Sequence, residues 1–111
     1  MTVYIAGPIS DDPLYVKKFE ARSKALRGMG YEVVSPVVIA EEVRLSLDRE
    51  PTYNDYIKAG LKELLRCDGI SMLPEWRKSK GARLEHRVAE LSGLTFVEYH
   101  EITKEDYEND D

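Results

Sequence analysis

The sequence is poor in the residues that build covalent cross-links and metal sites. Its 111 residues include one cysteine, Cys67, and two histidines, His86 and His100. A lone cysteine cannot form an intramolecular disulfide, which fits a reducing compartment. So few and scattered soft ligands predict no metal site. No apolar run approaches the roughly 20 residues of a membrane-spanning helix, and no signal peptide is visible at the start. We therefore expect a cytoplasmic protein without a metal or other cofactor.

The chain is acidic overall, because its 21 Asp and Glu residues outnumber its 16 Lys and Arg residues. The net charge is −5 and the calculated pI is about 5.1, which argues against a nucleic-acid polymer or an anionic membrane as the main partner. The length and a hydrophobic content of 42% allow one domain with a thin core. We assign residues 1–100 to this domain and expect the acidic residues 101–111 to form a flexible tail.

Strand-like and helix-like segments alternate along the chain. The apolar spacing and turn residues predict a helix over Tyr15–Met29, a helix over Tyr53–Arg66 capped by Thr52, and a helix over Ala82–Ser92. Between Pro36 and Thr52 only a short helix over Val43–Leu47 is expected, and the rest is predicted as loop. Four strands are predicted, over Thr2–Ala6, Tyr31–Pro36, Gly69–Leu73 and Leu94–Tyr99.

This alternation predicts an α/β fold with a doubly wound parallel sheet of four to five strands in three layers, flavodoxin-like or Rossmann-like. In such sheets ligands bind beyond the carboxyl ends of the strands. The loop from Gly7 to Ser10 and the loop from Pro74 to Gly81 follow strands and lie on this side. Asp68 precedes a strand, so we expect it at the opposite edge, as a turn residue.

Glu85 has no basic neighbour on its own helix. The residues three and four positions away are Gly81, Ala82, Val88 and Ala89. One interpretation is a glutamate that stabilises the first turn of the helix through the helix dipole. The other is a carboxylate held at the ligand edge of the sheet for chemistry, with room left beside it by Gly81 and Ala82.

Taken together, the motifs resemble the nucleoside 2-deoxyribosyltransferase superfamily, and most closely a branch of small proteins from bacteria and their phages. Within the superfamily the chain is similar to 2′-deoxynucleoside 5′-phosphate N-hydrolases. The resemblance covers about nine-tenths of the chain, and "LPEWRKSKGARLE" is its most specific segment. The matching segments are "YIAGPIS", "GYEVVSP", "TYNDYI", "CDGISMLPEWRKSKGARLEH" and "AELSGL".

The resemblance implies cleavage of the bond between a nucleobase and C1′ of a deoxyribose. Glu85, four residues after Gly81, matches the family's nucleophile, which attacks C1′ and forms a glycosyl-enzyme. A position in the first turn would help to keep this carboxylate ionised. Relatives complete each pocket with residues from a neighbouring subunit, so a homodimer or a larger homo-oligomer is expected.

The substrate-binding residues implied by the resemblance lie in two loops. Ser79 stands where members that act on 5′-monophosphates have a serine; with Arg77, Lys78, Lys80 and the helix start at Gly81 and Ala82 it predicts a phosphate site. A capping serine in a solvated basic loop is the plainer interpretation. Tyr4 and the turn of Gly7, Pro8 and Ile9 match the first ligand loop, although Tyr4 could equally be a core aromatic residue. Trp76 is expected to stack on a base or on a neighbouring subunit.

One departure from the family pattern concerns a second acid. Active relatives carry an aspartate in the preceding helix, and this chain has Gly60 at that position. Asp55 lies on another helical face, and Glu63 could lean in from one turn further on. Loss of a general acid typically lowers a rate by 10²–10⁴-fold. The sequence therefore leaves three hypotheses: an N-glycosidase or deoxyribosyltransferase acting on a nucleotide, a pocket that binds or sequesters a nucleotide-derived metabolite or signal, and a fold kept for protein interaction.

Overall fold

A computed structural model describes residues 1–10 and 12–99 of the chain. Within these residues the strands are β1 (Thr2–Ala6), β2 (Glu32–Val34), β3 (Gly69–Met72) and β4 (Thr95–Phe96), and the α-helices are α1 (Tyr15–Gly28), α2 (Pro36–Ser46), α3 (Tyr53–Leu64) and α4 (Lys80–Leu91). A short 3₁₀ helix, Trp76–Lys78, precedes α4. The predicted tail, residues 101–111, and His100 lie outside the described residues.

The four described strands form one parallel sheet in the order β2-β1-β3-β4. β1 occupies the interior, between β2 and β3, so the chain winds outward from β1 in both directions. This confirms the predicted doubly wound α/β fold and gives it the flavodoxin-like strand order. The switch point, where a ligand is expected, lies at the carboxyl ends of β1 and β3.

The alternation of side chains along β1 assigns its residues to two cores. Val3 and Ile5 pack with Phe19 and Leu26 of α1 on one face of the sheet. Tyr4 and Ala6 face the other side, in a core that contains α2, α3 and α4 residues: Ile39, Val43, Leu64 and Ala89. The molecule therefore has three layers, with α1 alone on one face and three helices on the other. All four β1 residues from Val3 to Ala6 are at most 1% exposed.

The segment after β2 differs from its prediction. α2 begins at Pro36, with Ser35 as the N-cap whose Oγ accepts a hydrogen bond from the N–H of Val37. The prediction of only a short helix, Val43–Leu47, inside a loop was therefore wrong. The predicted strand Tyr31–Pro36 is also shorter in the structure, because β2 ends before Pro36. Proline at the first helical position and serine before it are favourable start signals. The β-branched residues that follow favour a strand instead, and burial of Ile39 and Val43 against the sheet outweighs this preference.

The amino edge of the sheet is closed by Asp68. Its Oδ2 accepts a hydrogen bond of 2.9 Å from the N–H of Thr2, and its own N–H donates to the carbonyl of Thr2 at 2.9 Å. Asp68 thus joins the starts of β1 and β3, at the edge away from the switch point, as predicted. No helix among the described residues is both long enough and apolar enough to cross a membrane.

Candidate active site

A cleft of about 340 Å³ opens at the carboxyl edge of the sheet, beside the switch point. Its floor is formed by Tyr4, by the loop after β1 and by the start of α4, and α2 and α3 form its walls. This volume lies within the range of pockets that hold small molecules. The lining residues are Tyr4, Gly7, Ile9, Ser10, Tyr15, Pro36, Val37, Ile39, Ala40, Arg44, Tyr53, Tyr56, Ile57, Gly60, Ser79, Gly81, Ala82 and Glu85.

Glu85 lies at the bottom of this cleft and is only 8% exposed. The phenolic hydroxyl of Tyr4, from the middle of β1, donates a short hydrogen bond to Glu85 Oε2. Tyr4 is itself fully buried, so strand and helix packing fix both partners. The bond fixes the orientation of the carboxylate and leaves Oε1 without a hydrogen-bond donor among the described residues.

Burial raises the pKa of Glu85 from 4.5 to about 7, and the hydrogen bond from Tyr4 partly opposes this rise. The same burial, together with the neighbouring Glu85 carboxylate, raises the pKa of the Tyr4 hydroxyl far above its usual range. Tyr4 therefore keeps its proton at physiological pH. Glu85 titrates near neutrality, which suits a group that must be ionised to act as a nucleophile.

The position of Glu85 within its helix corrects the sequence prediction. α4 begins at Lys80 rather than at Ala82, and its first turn contains no acidic residue. Glu85 therefore lies in the second turn, where the helix dipole contributes less, because its effect falls off within the first turn. Desolvation dominates, so the pKa is raised rather than held low by the helix start.

Gly60 faces the pair formed by Tyr4 and Glu85. A β-carbon built on Gly60 would lie 3.0 Å from the hydroxyl oxygen of Tyr4 and 3.4 Å from Glu85 Oε2. The first distance is closer than an ordinary contact, so any larger side chain would press on the Tyr4 hydroxyl. Within the described structure, a glycine here permits the close approach of α3 to the floor of the cleft.

Neither of the two acids near Gly60 in sequence reaches the cleft. Asp55 forms a capping box with Thr52 at the start of α3 and pairs with Arg49 at 2.6 Å. These contacts hold the pKa of Asp55 well below its usual range. Glu63 lies 3.7 Å from Arg66 and does not line the cleft. The possibility that Glu63 leans into the cleft is therefore not realised.

Ser79 is the N-cap of α4, and its Oγ accepts a hydrogen bond of 3.2 Å from the N–H of Ala82. It also lines the cleft together with Gly81 and Ala82. Lys80 is not among the lining residues, but its Nζ lies 5.8 Å from the centre of the Tyr53 ring, which does line the cleft. Ser79 therefore both caps α4 and lies beside the cleft.

The loop after β1 forms the floor near Glu85. Gly7 and Ile9 line the cleft, whereas Pro8 between them does not. A β-carbon on Gly7 would lie 2.7 Å from the Leu73 Cβ, so only glycine allows this loop to pack against the residue that follows β3. The two loops at the switch point are thereby in direct contact.

Trp76 lies outside the cleft, which contradicts a base-stacking position for it there. Its ring stacks on the ring of His86, with centroids 4.2 Å apart and planes at 11°. The Arg77 guanidinium lies 4.6 Å from the Trp76 ring centre. His86 follows Glu85 directly, so its ring, with Trp76 stacked on it, lies on a different face of α4 from Glu85. Contact of Trp76 with a neighbouring subunit stays a prediction.

Several lining residues were missed by sequence reasoning. Tyr15 comes from the start of α1, Arg44 from α2, and Tyr53 from the start of α3. Tyr53, Tyr56, Ile57 and Gly60 recur at helical spacing, and this pattern was available as a signal for one face of α3. Arg44 lies within the short helix predicted over Val43–Leu47, but the sequence did not single it out. Its Nη2 lies 2.5 Å from Glu41 Oε2.

A larger and more open hollow of about 730 Å³ lies beside β2, between α1 and α2. Its lining carries charges of both signs from Glu20, Lys24, Arg27, Glu42 and Glu63 around a group of valines. It contains neither Glu85 nor Tyr4, and it lies away from the switch point of the sheet. We therefore assign the smaller cleft as the candidate site. Among residues 1–10 and 12–99, no three His, Cys, Asp or Glu side chains are grouped to hold a metal ion.

The fold and the cleft define a flavodoxin-like α/β protein with a buried carboxylate at its switch point. The chain belongs to the family described as domain of unknown function DUF4406, whose sequence model matches residues 1–98. Among curated proteins, none matches this sequence significantly. Among solved structures, the chain is similar to a 2-deoxyribosyltransferase from Bacillus psychrosaccharolyticus, at 16% identity and a TM-score of 0.67. The match covers 97% of this chain and 81% of the other. At this identity the similarity shows a shared fold.

Proposed function

We propose that the protein cleaves the N-glycosidic bond of a (deoxy)nucleoside 5′-monophosphate, with Glu85 as the nucleophile. The observation that carries the proposal is a carboxylate that is 8% exposed, faces a cleft at the switch point and is held by Tyr4. Ionised Glu85 would attack C1′ as the base departs, and water would then release the sugar from the glycosyl-enzyme. The similar solved structure belongs to a 2-deoxyribosyltransferase described as a biocatalyst for nucleoside synthesis, which supports this chemistry.

The start of α4 supports a monophosphate rather than a nucleoside. Ser79 lines the cleft at the N-terminus of a 12-residue helix, where the first N–H groups have no partner inside the helix. Such a helix end favours an anion. Lys80 stands at the rim, over Tyr53, and adds a positive charge. The aromatic side chains of the walls, Tyr53 and Tyr56, offer surfaces for a base.

Turnover is tested by incubating the protein with each deoxynucleoside 5′-monophosphate and measuring free base by chromatography. Glu85→Gln keeps the size of the side chain and an oxygen for Tyr4, but it removes the nucleophile. We expect it to abolish turnover, while Glu63→Gln, outside the cleft, retains it. A 2-deoxy-2-fluoro analogue should trap a glycosyl group on Glu85, detectable by peptide mass spectrometry. If high protein concentrations release no base from any of the four deoxynucleoside 5′-monophosphates, cleavage of these nucleotides is ruled out.

A second candidate function is binding without turnover, and it is favoured by Gly60. The described residues that line the cleft contain Glu85 and no other carboxylate, so a neutral base lacks an evident proton donor. The protein would then bind or sequester a nucleotide-derived metabolite. Thermal-shift measurements would show stabilisation by a nucleotide without product formation. Turnover that depends on Glu85 would exclude this alternative.

We also propose that the protein is a homo-oligomer whose neighbouring subunits approach the cleft. The size of the chain supports this, because a domain of this length buries only a thin core of its own. Several large apolar side chains are exposed, among them Leu45 at 79% and Leu91 at 72%. Sedimentation velocity on the full chain tests the proposal, and a monomer at micromolar concentration would contradict it.

A further inference from the structure

The cleft holds one carboxylate and no second one among the described lining residues. Its other titratable or charged side chains are Arg44, Tyr4, Tyr15, Tyr53 and Tyr56. A carboxylate cannot serve as an ionised nucleophile and donate a proton in the same step. Among the described lining residues, only a tyrosine or Arg44 could therefore supply a proton to the departing base, and solvent is the other source.

Two of these groups, Tyr4 and Arg44, are poor proton donors to a base. The Tyr4 hydroxyl already donates to Glu85, and its pKa is raised far above the usual range. The Arg44 guanidinium pairs with Glu41, which raises its pKa further. Gly60 leaves no space for another acid next to the reacting carboxylate, because even a β-carbon there would lie 3.0 Å from the Tyr4 hydroxyl.

Glu85 also lacks a cationic partner within the described structure. It takes part in no salt bridge among residues 1–10 and 12–99, and Tyr4 is the only described side chain bonded to it. A carboxylate buried in this way is poorly compensated when it ionises. A positive charge on a ligand, placed beside C1′, would supply the missing partner in a site where opposite charges attract more strongly than in water.

Both observations lead to one class of ligand. We propose that the cleft selects nucleotides whose heterocycle carries a fixed positive charge, such as pyridinium nucleotides and N7-alkylated purine nucleotides. The cleavage part of this inference rests on the proposed function, whereas the preference in binding does not. A cationic heterocycle meets the unpartnered carboxylate directly and needs no proton in order to leave.

The chemical step balances without a general acid. Glu85 Oε attacks C1′ and forms a C–O bond, while the C1′–N bond breaks and its electron pair neutralises the heterocycle, which departs uncharged. Water then attacks C1′, the C–O bond to Glu85 breaks with its pair returning to the carboxylate, and the proton of water passes to solvent. A neutral base would have to leave as an anion, and a missing general acid lowers its rate by about 10²–10⁴-fold.

The cleavage test compares two substrates that differ by one methyl group and one charge. These are 7-methyl-2′-deoxyguanosine 5′-monophosphate and 2′-deoxyguanosine 5′-monophosphate, with Glu85→Gln protein as the background for spontaneous loss of base. We expect kcat/KM to be at least about 100-fold higher for the methylated nucleotide. A ratio below this value overturns the inference and leaves the proposed function intact, because it shows that the site does supply a proton.

The binding test separates charge from chemistry. Nicotinamide mononucleotide and its reduced form have almost the same shape, but only the former has a cationic ring. At pH 8, where Glu85 is mostly ionised, we expect calorimetry to show about tenfold or tighter binding of the cationic form. Glu85→Gln should lose this preference, while Glu63→Gln retains it. If neither purine nucleotide is cleaved but the preference in binding is present, the proposed cleavage fails and the inference holds. Equal binding of both forms overturns it.

Discussion

Gly60 in α3 and Tyr4 in β1 are in contact across the floor of the cleft: a β-carbon on Gly60 would lie 3.0 Å from the Tyr4 hydroxyl oxygen. Tyr4 is fully buried and its hydroxyl is bonded to Glu85, so it cannot move aside without breaking that bond. The absence of a side chain at position 60 is therefore a condition for the pairing of Tyr4 with Glu85.

We expect Gly60→Ala to lower the free energy of unfolding by about 1–2 kcal/mol, because overpacking outweighs the better helix propensity of alanine. Gly28 is the matched control. It is also helical, and nothing lies within 4 Å of a β-carbon built on it. Gly28→Ala should leave stability unchanged or raise it by up to about 1 kcal/mol. Urea denaturation of both variants measures the difference, and equal effects would contradict the proposed contact.

The pKa of Glu85 makes folding depend on pH. The unfolded chain releases this proton near pH 4.5 and the folded protein near pH 7, so between these values the folded state binds more protons. The free energy of unfolding therefore falls as pH rises from 4.5 to 7, by roughly 3 kcal/mol in order of magnitude. Glu85→Gln should remove this dependence and be the more stable protein at pH 8. Denaturation at several pH values measures it, and a variant that loses stability at pH 8 would refute the assignment.

Tyr4 sets the pH at which Glu85 becomes reactive. If Glu85 is the nucleophile, kcat/KM should rise through pH 7 as the carboxylate ionises, and then level off. The hydrogen bond from Tyr4 lowers the pKa of Glu85, so Tyr4→Phe should move the rising limb to higher pH. Tyr31→Phe serves as the control, since Tyr31 packs in the core on the α1 side of the sheet. If the pH at which kcat/KM rises is unchanged in Tyr4→Phe, the hydrogen bond from Tyr4 does not control the pKa of Glu85.

Lys80 and Lys78 allow the phosphate site to be tested without disturbing the helix cap. Lys80 lies over Tyr53 at the rim of the cleft, whereas Lys78 pairs with Glu75 at 3.0 Å and is 74% exposed. We expect Lys80→Gln to weaken binding of a nucleoside 5′-monophosphate by about five- to tenfold and to leave nucleoside binding unchanged. Lys78→Gln should change neither. If Lys80→Gln weakens the binding of nucleotide and nucleoside equally, the assignment of a phosphate site beside Lys80 is wrong.

Much of the fold was predictable because its strongest signals are local. β1 matches its predicted bounds, and α1, α3 and β3 begin at their predicted residues. Their apolar spacing agrees with the faces that they bury. α2 was missed because its β-branched residues favour a strand, and only packing on the sheet makes them helical. β4 is shorter than predicted, since only Thr95 and Phe96 pair with β3.

The site residues that belong to a single local motif were predictable from the sequence, whereas those brought together by the convergence of several elements were not. The cleft does contain Glu85, Tyr4 and Ser79, which the sequence had singled out. Arg44 and Tyr15 come from two different helices, and no local sequence pattern predicts that both line the same cleft. The raised pKa of Glu85 was also beyond reach, because it depends on burial by neighbouring elements rather than on position in a helix. Trp76 is half-buried in the short 3₁₀ helix and stacks on His86 instead of lining the cleft, a contact that no local sequence pattern predicts.

The interior position of β1 has a consequence for how the chain folds during synthesis. β1 is synthesised before the other described strands, yet its pairing with β3 joins Ala6 to Met72, and Tyr4 meets Glu85 only after a further stretch of chain. Until then the face of β1 that carries Tyr4 and Ala6 lacks α4, and β1 has one free hydrogen-bonding edge. Long-range pairing of this kind is slow and vulnerable to aggregation. Truncated or stalled chains that end before residue 72 should therefore need chaperone protection, whereas chains that extend through α4 pair that edge and cover that face.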